Sequence, residues 1–317
     1  MRSSALSLVA PRDCALGVAV PLDAGEFLND LDPSSGKDFA SHFCDENREL
    51  GMAQQYYVDL YSRMARGFES ACRGAEEAGV SVWRRLTYGD VPTLFADHKV
   101  VTIVTHWRFA AVTADDVVDP RRFMDMLRQP TRRFHELVRD EVSARAPQLL
   151  AEADTMADGE LRVSLARVIG SIVEDAHSAY IDATARAGEN DVFAVPLPAI
   201  PVLHRITFER AFAGAIRRRG AIELFDGMHS VEELIAAIPP DFDGLIDLTI
   251  CHSVILAAAI REQREACLVV ANRRPAQLRI RLALYELAVR DLAERRRPFL
   301  DVLVEHALYI QKRRRLS

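Results

Sequence analysis

One histidine and one cysteine stand where catalytic side chains commonly lie in α/β proteins. His106 follows the apolar run KVVTIVT at 99–105. Cys251 follows a second apolar run, GLIDLTI, at 244–250. A cysteine attacks a carbonyl carbon as its thiolate, and a nearby imidazole is the usual group that accepts and returns the proton. Adjacent strand ends lie only about 5 Å apart, so the two residues are candidates for a catalytic dyad.

Cys251 also precedes a predicted helix at 253–264. The partial positive charge at a helix N-terminus favours a thiolate, and its free backbone N–H groups can bind an oxyanion. Each residue alone has an ordinary structural explanation. A cysteine after a buried strand is commonly a small apolar side chain, and a histidine there commonly caps or hydrogen-bonds. Together, each after a strongly apolar strand, they favour a function.

The elements that position these residues alternate along the chain, which is typical of a mostly parallel sheet flanked by helices. The predicted strands are 15–20, 80–86, 99–105, 221–225, 244–250 and 266–271. The predicted helices are 52–78, a short one from Pro92, 231–237 with a Ser230/Glu233 capping box, 253–264, and two more from Pro275 and Pro298. In such sheets, ligands collect beyond the carboxyl ends of the strands.

The middle of the chain has a different pattern, in which helical periodicity replaces the alternation. Helices are predicted at 122–146, 160–187 and 206–218, and the proline-rich stretch 193–202 is predicted to be extended or irregular. The predicted organisation is one discontinuous α/β core, residues 1–106 and 219–317, with a mainly helical insertion at 107–218.

Composition excludes several classes of protein. The chain has 317 residues, 49% of them hydrophobic, and a net charge of −6. It is therefore neither disordered nor a collagen nor a disulfide scaffold, and its acidity argues against nucleic acid as a direct partner. Five cysteines without a CxxC pair fit free thiols in a reducing cytoplasm and give no support to a zinc site. No apolar stretch has the length of a predicted membrane span.

Several motifs together resemble the caspase-like cysteine peptidases, particularly the bacterial CHAT group. KVVTIVTHW is similar to that group's strand-plus-histidine motif, and GLIDLTICHS to its strand-plus-cysteine motif. AIELFDGMHSVEEL resembles the strand, Asp-Gly turn and helix between them. ACLVVANRRPAQLRIRLALYELAVRDL resembles the strand, loop and helix that follow. The likeness covers 99–107 and 221–292 well, and 15–105 loosely.

The resemblance implies a mechanism and a setting. Cys251 is the nucleophile, and His106 polarises the scissile bond and protonates the leaving amine. The backbone N–H groups of Trp107 and Cys251 form the oxyanion hole, the intermediate is a thioester, and neither a metal nor a cofactor is needed. The implied protein is a regulated cytoplasmic endopeptidase that cleaves a protein substrate in a bacterial defence or cell-death system.

Further residues near the predicted site are candidates for a substrate pocket: Asp226, Gly227, His229 and Ser253. The other four cysteines are expected to be structural, and Asp247, inside its strand, is expected to anchor a neighbouring loop. The chain departs from the family at Trp107, since the family usually has glycine after its histidine.

Two other functions remain open. The first is a catalytically inactive caspase-like scaffold that binds a regulatory protein partner through the 107–218 insertion, and Trp107 is the residue that favours it. The second, an ordinary α/β hydrolase or ligand-binding domain, lacks a GxSxG motif.

Overall fold

The computed structural model describes residues 8–46, 52–108, 112–131, 133–186, 214–216, 220–250, 253–272 and 278–314. Contacts divide the chain into two compact units. The α/β unit comprises Met1–Arg108 and Ala221–Ser317, and the helical unit comprises Phe109–Gly220. Each boundary lies two residues beyond the one predicted from the sequence.

The described strands and helices are numbered in chain order. The strands are β1 (Leu8–Val9), β2 (Cys14–Val18), β3 (Ser81–Arg84), β4 (Val100–Val104), β5 (His106–Arg108), β6 (Ala221–Leu224), β7 (Gly227–Ser230), β8 (Leu245–Thr249), β9 (Leu268–Ala271) and β10 (Arg297–Pro298). The helices are α1 (Ala24–Asp30), α2 (Phe39–Glu46), α3 (Gln54–Glu77), α4 (Val91–Asp97), α5 (Pro120–Arg128), α6 (Arg133–Arg145), α7 (Pro147–Glu152), α8 (Asp158–Arg186), α9 (Val231–Ala237), α10 (Val254–Gln263), α11 (Leu278–Glu294) and α12 (Phe299–Arg314).

A five-stranded sheet forms the centre of the α/β unit, in the order β3-β2-β4-β8-β9, and all its neighbouring strands are parallel. The predicted α/β class with a mostly parallel sheet flanked by helices is therefore confirmed. The two apolar runs predicted as central strands are β4 and β8, and every residue of both is buried. Runs without polar alternation suit strands that are covered on both faces.

One face of this sheet packs against α3, α11 and α12. Side chains alternate between the faces along a strand, and those that join this core include Leu16, Val18, Val100, Val104 and Leu245. The helical stripe predicted on α11 is buried, as Leu278, Leu282, Tyr285, Val289 and Leu292 show. By the same alternation, Val101 and Ile103 face the opposite side, where α9 contacts α4 and α10.

A second sheet corrects one expectation about the predicted site. It is antiparallel, in the order β5-β6-β7. The strand predicted at 221–225 lies here and forms a hairpin with β7, so it does not join the parallel sheet. His106 follows β4, as predicted, and is also the first residue of β5. The chain leaves the parallel sheet at Thr105 and enters the second sheet at once.

The helical unit has a core of its own, built by α5, α6, α7 and α8 around residues such as Phe123, Val142 and Ile169. The single helix predicted at 122–146 is wrong, because α5 ends at Arg128 and α6 begins at Arg133, on either side of Pro130. Proline lacks the N–H that a continuous helix requires.

Two other predictions for this unit fall wholly or partly outside the described residues. The proline-rich stretch 193–202 lies outside them, as does most of the helix predicted at 206–218. Its described part, 214–216, is a turn followed by a bridge from Ile216 to Val117. Gly214 has a φ of +91°, which is not helical. Within the described part of the chain, no helix combines the length and the apolar character that a membrane crossing requires.

Candidate functional site

The predicted dyad depends on two strands being neighbours, and they are. β4 pairs directly with β8 in parallel, with Val104 opposite Thr249. The segments that follow these two strands therefore leave the sheet at the same edge, which is its carboxyl edge. This is also where the strand order reverses between β2 and β4, the usual position of a ligand crevice in such sheets. His106 lies at this edge, whereas Cys251 and its neighbour His252 lie outside the described residues.

The backbone on either side of Cys251 is tied to the end of β9. Ser253 Oγ donates to the Leu248 carbonyl oxygen at 3.1 Å and accepts from the Asn272 N–H at 2.8 Å. The Asn272 side chain donates to the carbonyl oxygens of Leu248 and Ile250, at 3.0 and 3.1 Å. Ile250 and Ser253 are both fully buried. Ser253, predicted to line a substrate pocket, has its described contacts in this network, which anchors the segment that carries Cys251.

His106 is enclosed, with only 5% of its side chain exposed. It stands opposite Glu223 in the β5–β6 pairing. Its Nε2 lies 3.6 Å from Asp38 Oδ2. Its ring lies 4.8 Å from the ring of His42 and 6.0 Å, edge to face, from that of Phe39. The imidazole is therefore surrounded by side chains from α2 and from the loop before it, a region that the sequence did not single out.

Glu223, a residue of β6, binds the backbone of the residues that surround His106. Its side chain is 1% exposed, and its Oε2 accepts the backbone N–H groups of Asp38 at 2.8 Å and Phe39 at 2.9 Å. Those groups begin α2, so Glu223 caps a helix that is remote in sequence. Burial chiefly raises the pKa of Glu223 to about 7, opposed by these hydrogen bonds, while the charge of Asp30 adds to the rise.

Asp30 carries a second buried carboxyl group, close to that of Glu223. Burial raises its pKa, against the opposing charge of Lys37 and a hydrogen bond with Glu223. Lys37 Nζ lies 3.4 Å from Asp30 Oδ1 and 4.5 Å from the centre of the Phe225 ring. Of these two buried carboxyl groups, that of Asp30 pairs with the Lys37 ammonium group and that of Glu223 accepts two N–H groups at the start of α2. A raised carboxyl pKa beside a histidine at a sheet's carboxyl edge is typical of functional sites.

Trp107 follows His106 and stands opposite Ile222 in the antiparallel pair. Its side chain is 7% exposed. Its predicted contribution is a backbone N–H for the oxyanion hole, together with that of Cys251. The structure places the Trp107 backbone in the middle of β5, directly after the candidate histidine.

The predicted pocket residues of the β6–β7 hairpin gather around Tyr88. Asp226 accepts the Tyr88 N–H at 3.1 Å, and His229 Nε2 lies 3.1 Å from Asp226 Oδ1. The rings of Tyr88 and His229 stack with centres 4.8 Å apart. Gly227 supplies a φ of +125°, which residues with a side chain rarely adopt. Asp226, Gly227 and His229 therefore form a hairpin tip joined to Tyr88, while His106 contacts α2 and its preceding loop.

The other described cysteines carry free thiols. Burial raises the pKa of Cys14 well above its ordinary range and the pKa of Cys72 to about 12, and it also raises the pKa of Cys267. Burial therefore disfavours the reactive thiolate form at all three. Cys44 is half-buried.

Asp247 corrects a smaller expectation. It does not anchor a loop; it forms a buried ion pair with Arg281 of α11. Among the residues described, no three or more His, Cys, Asp or Glu side chains are grouped in a way that could hold a metal ion.

The sequence analysis missed the residues around His106, namely Asp38, Phe39, His42 and Glu223, and the Asp30–Lys37 pair beside Glu223. One signal was available for Glu223, which is a carboxylate within the otherwise apolar run AIELF, and buried carboxylates need partners. The residues before α2 carry no comparable pattern. Comparison with family models, with curated proteins and with solved structures gave no match to this chain.

Proposed function

We propose that this protein is a cysteine endopeptidase of the caspase-like type, with Cys251 as nucleophile and His106 as its acid–base partner. The observation that carries the proposal is the pairing of β4 with β8. Because those strands are parallel neighbours, the residues that follow them leave the sheet at one edge. The resemblance of both strand motifs to those of the CHAT group supplies the reaction class.

The reaction has two halves. The Cys251 thiol gives its proton to His106, and the thiolate attacks the scissile carbonyl carbon to form a C–S bond. The oxyanion is stabilised by backbone N–H groups at Trp107 and Cys251. The C–N bond then breaks, and His106 returns its proton to the leaving amine. Water adds to the thioester carbonyl, and the thiol leaves with a proton, which frees the carboxylic acid.

The setting belongs to the same proposal. The substrate is a protein, the location is the cytoplasm, and the helical unit binds a regulatory protein. The free thiols of the described cysteines agree with a reducing compartment. A bacterial defence or cell-death role comes from the resemblance alone.

The first experiment measures thiol reactivity in the full chain. The folded protein is treated briefly with a thiol-directed electrophile, and the labelled cysteines are identified by peptide mapping. Cys251 should react at least tenfold faster than half-buried Cys44, because an adjacent imidazole favours its thiolate. His106→Ala should remove that advantage, whereas Cys44→Ala should leave it intact. Equal labelling of the two cysteines in the wild type would contradict the proposal.

The inactive scaffold is the second candidate, and burial of the predicted site favours it. His106 and Trp107 are both less than a tenth exposed. In a scaffold they would serve only to join the two sheets. The same labelling experiment separates the candidates, since a scaffold predicts no dependence of Cys251 reactivity on His106. Cleavage of a protein substrate by the wild type and not by Cys251→Ala would exclude the scaffold.

A further inference from the structure

Asp38 is the carboxylate that faces the candidate histidine. Its Oδ2 lies 3.6 Å from His106 Nε2, and 28% of its side chain is exposed, against 5% for the histidine. That distance is an ion-pair separation, and in enzymes without a bound substrate such catalytic contacts are often longer than the hydrogen bond formed in the complex. Asp38 stands immediately before α2, whose first residue, Phe39, packs its ring edge against the same imidazole.

One buried residue fixes both members of this pair. Glu223 is the register partner of His106 across the β5–β6 ladder. Its carboxyl group accepts the N–H groups of Asp38 and Phe39. Thr105, the residue before His106, donates its hydroxyl to the Glu223 carbonyl oxygen. The backbone that carries the imidazole and the backbone that carries the carboxylate are therefore held to the same residue.

We propose that Asp38 is the positioning residue of His106, and that Glu223 holds it in place. This inference rests on the proposed dyad, because it assigns Asp38 a role only through His106. The Asp38 carboxylate faces Nε2, which leaves Nδ1 as the nitrogen that exchanges a proton with the thiol. Once the imidazole carries that proton, the carboxylate stabilises its positive charge.

Other charged and titratable groups surround the pair. On α2, His42 presents a second imidazole 4.8 Å from the first, and a positive charge there opposes one on His106. On β6, the carboxyl group of Glu223 is engaged by amides. On α1 and the loop after it, Asp30 and Lys37 pair with each other. Asp38 is thus the carboxylate whose described contact is with His106.

The test measures the rate of Cys251 alkylation against pH in the full chain. Asp38→Asn keeps the size of the side chain and removes its charge. We expect the midpoint of its profile to lie at least about one pH unit higher than in the wild type. Asp38→Glu keeps the negative charge and should move the midpoint part of the way back towards the wild-type value. The matched control is Asp23→Asn, since Asp23 caps α1 and asparagine caps equally well. A change in alkylation rate without a change of midpoint would mean a merely structural role and would overturn the inference.

A second measurement separates this inference from the proposed dyad. In the Cys251→Ala background, the ring resonances of His106 are followed by NMR as a function of pH. Asp38→Asn should lower the midpoint of the His106 titration, because the imidazolium loses its carboxylate. An unchanged midpoint overturns the inference even if Cys251 proves reactive. A lowered midpoint beside an unreactive Cys251 would instead overturn the dyad and leave Asp38 as the partner of His106.

Discussion

The α/β unit contains two buried groups of charges that differ in how they are balanced. Between the sheet and α11, the carboxylate of Asp247 meets the guanidinium of Arg281, one charge against one. At the carboxyl edge, Asp30 and Glu223 meet a single ammonium group, that of Lys37, and the amides at the start of α2. The first group is closed within the core, while the second adjoins His106.

In both groups burial raises the pKa of a carboxyl group, but different charges oppose the rise. Burial raises the pKa of Asp247, and the adjacent guanidinium opposes that rise with a full positive charge. At the edge, burial raises the pKa of Glu223 to about 7, opposed by two backbone N–H groups and by the charge of Lys37. A carboxyl group that titrates near neutrality can exchange protons at working pH. The edge group also adjoins His106, since Glu223 stands opposite it in the β5–β6 pairing, so this group marks the candidate site.

The largest expected effect comes from breaking the balanced pair. Arg281→Met leaves the Asp247 carboxylate buried without its partner, and we expect the free energy of unfolding to fall by about 3–5 kcal/mol. Urea denaturation at pH 7 measures this. The matched control is the double variant Asp247→Leu, Arg281→Met, which removes both charges and should recover most of the loss. A double variant as unstable as the single one would show that the pair acts through packing.

The next effect concerns the unbalanced group and its dependence on pH. The pKa of Glu223 is raised in the folded state from 4.5 to about 7, so ionisation opposes folding. The contribution is absent below about pH 4.5 and complete above about pH 7. The free energy of unfolding should therefore fall by about 3 kcal/mol across that range. Glu223→Gln should flatten this part of the curve.

The control for that measurement is Glu294→Gln, since Glu294 is exposed at the end of α11. It should keep the wild-type dependence on pH. Identical curves for Glu223→Gln and the wild type would mean that Glu223 is not the residue that titrates, and the contrast between the two groups would then be lost.

The smallest effect separates a local helix cap from the remote cap that Glu223 provides. The Ser230 hydroxyl caps α9 by accepting the Glu233 N–H, and the Glu233 carboxylate accepts the Ser230 N–H. Ser230→Ala should cost about 1 kcal/mol of unfolding free energy, with little change between pH 5 and 8. Ser230→Asp should preserve the cap. A strong pH dependence of that loss would show that this cap is coupled to the buried carboxyl groups of Asp30 and Glu223.

The elements predicted well from sequence are those specified by local or periodic signals. The apolar runs of β4 and β8, the stripe of α11 and the capping box of α9 each lie within a few turns or residues of chain. The sequence predicts the strand β6 and the turn at Asp226–Gly227 but not β7, because no apolar alternation marks Gly227–Ser230. The break at Pro130 was overlooked within an otherwise helical pattern.

The candidate site was predictable only in part. The pattern of an apolar strand followed by a polar residue led to His106, and it correctly implied that β4 and β8 are neighbours. The partners of His106 come from a region about 65 residues earlier, at Asp38 and His42, and from Glu223 far later in the chain. Such contacts depend on how the sheets are assembled, which no local pattern encodes.

The place of the helical unit along the chain determines which parts of the α/β unit are synthesised first and which last. That unit is inserted between β5 and β6, which are direct neighbours in the second sheet. Proteins are synthesised from the N-terminus, and their early segments fold first. A nascent chain that ends within the helical unit already contains His106 and Asp38, but Glu223 and Cys251 have yet to be translated. The proposed dyad is therefore complete only late in translation, once Cys251 has been added.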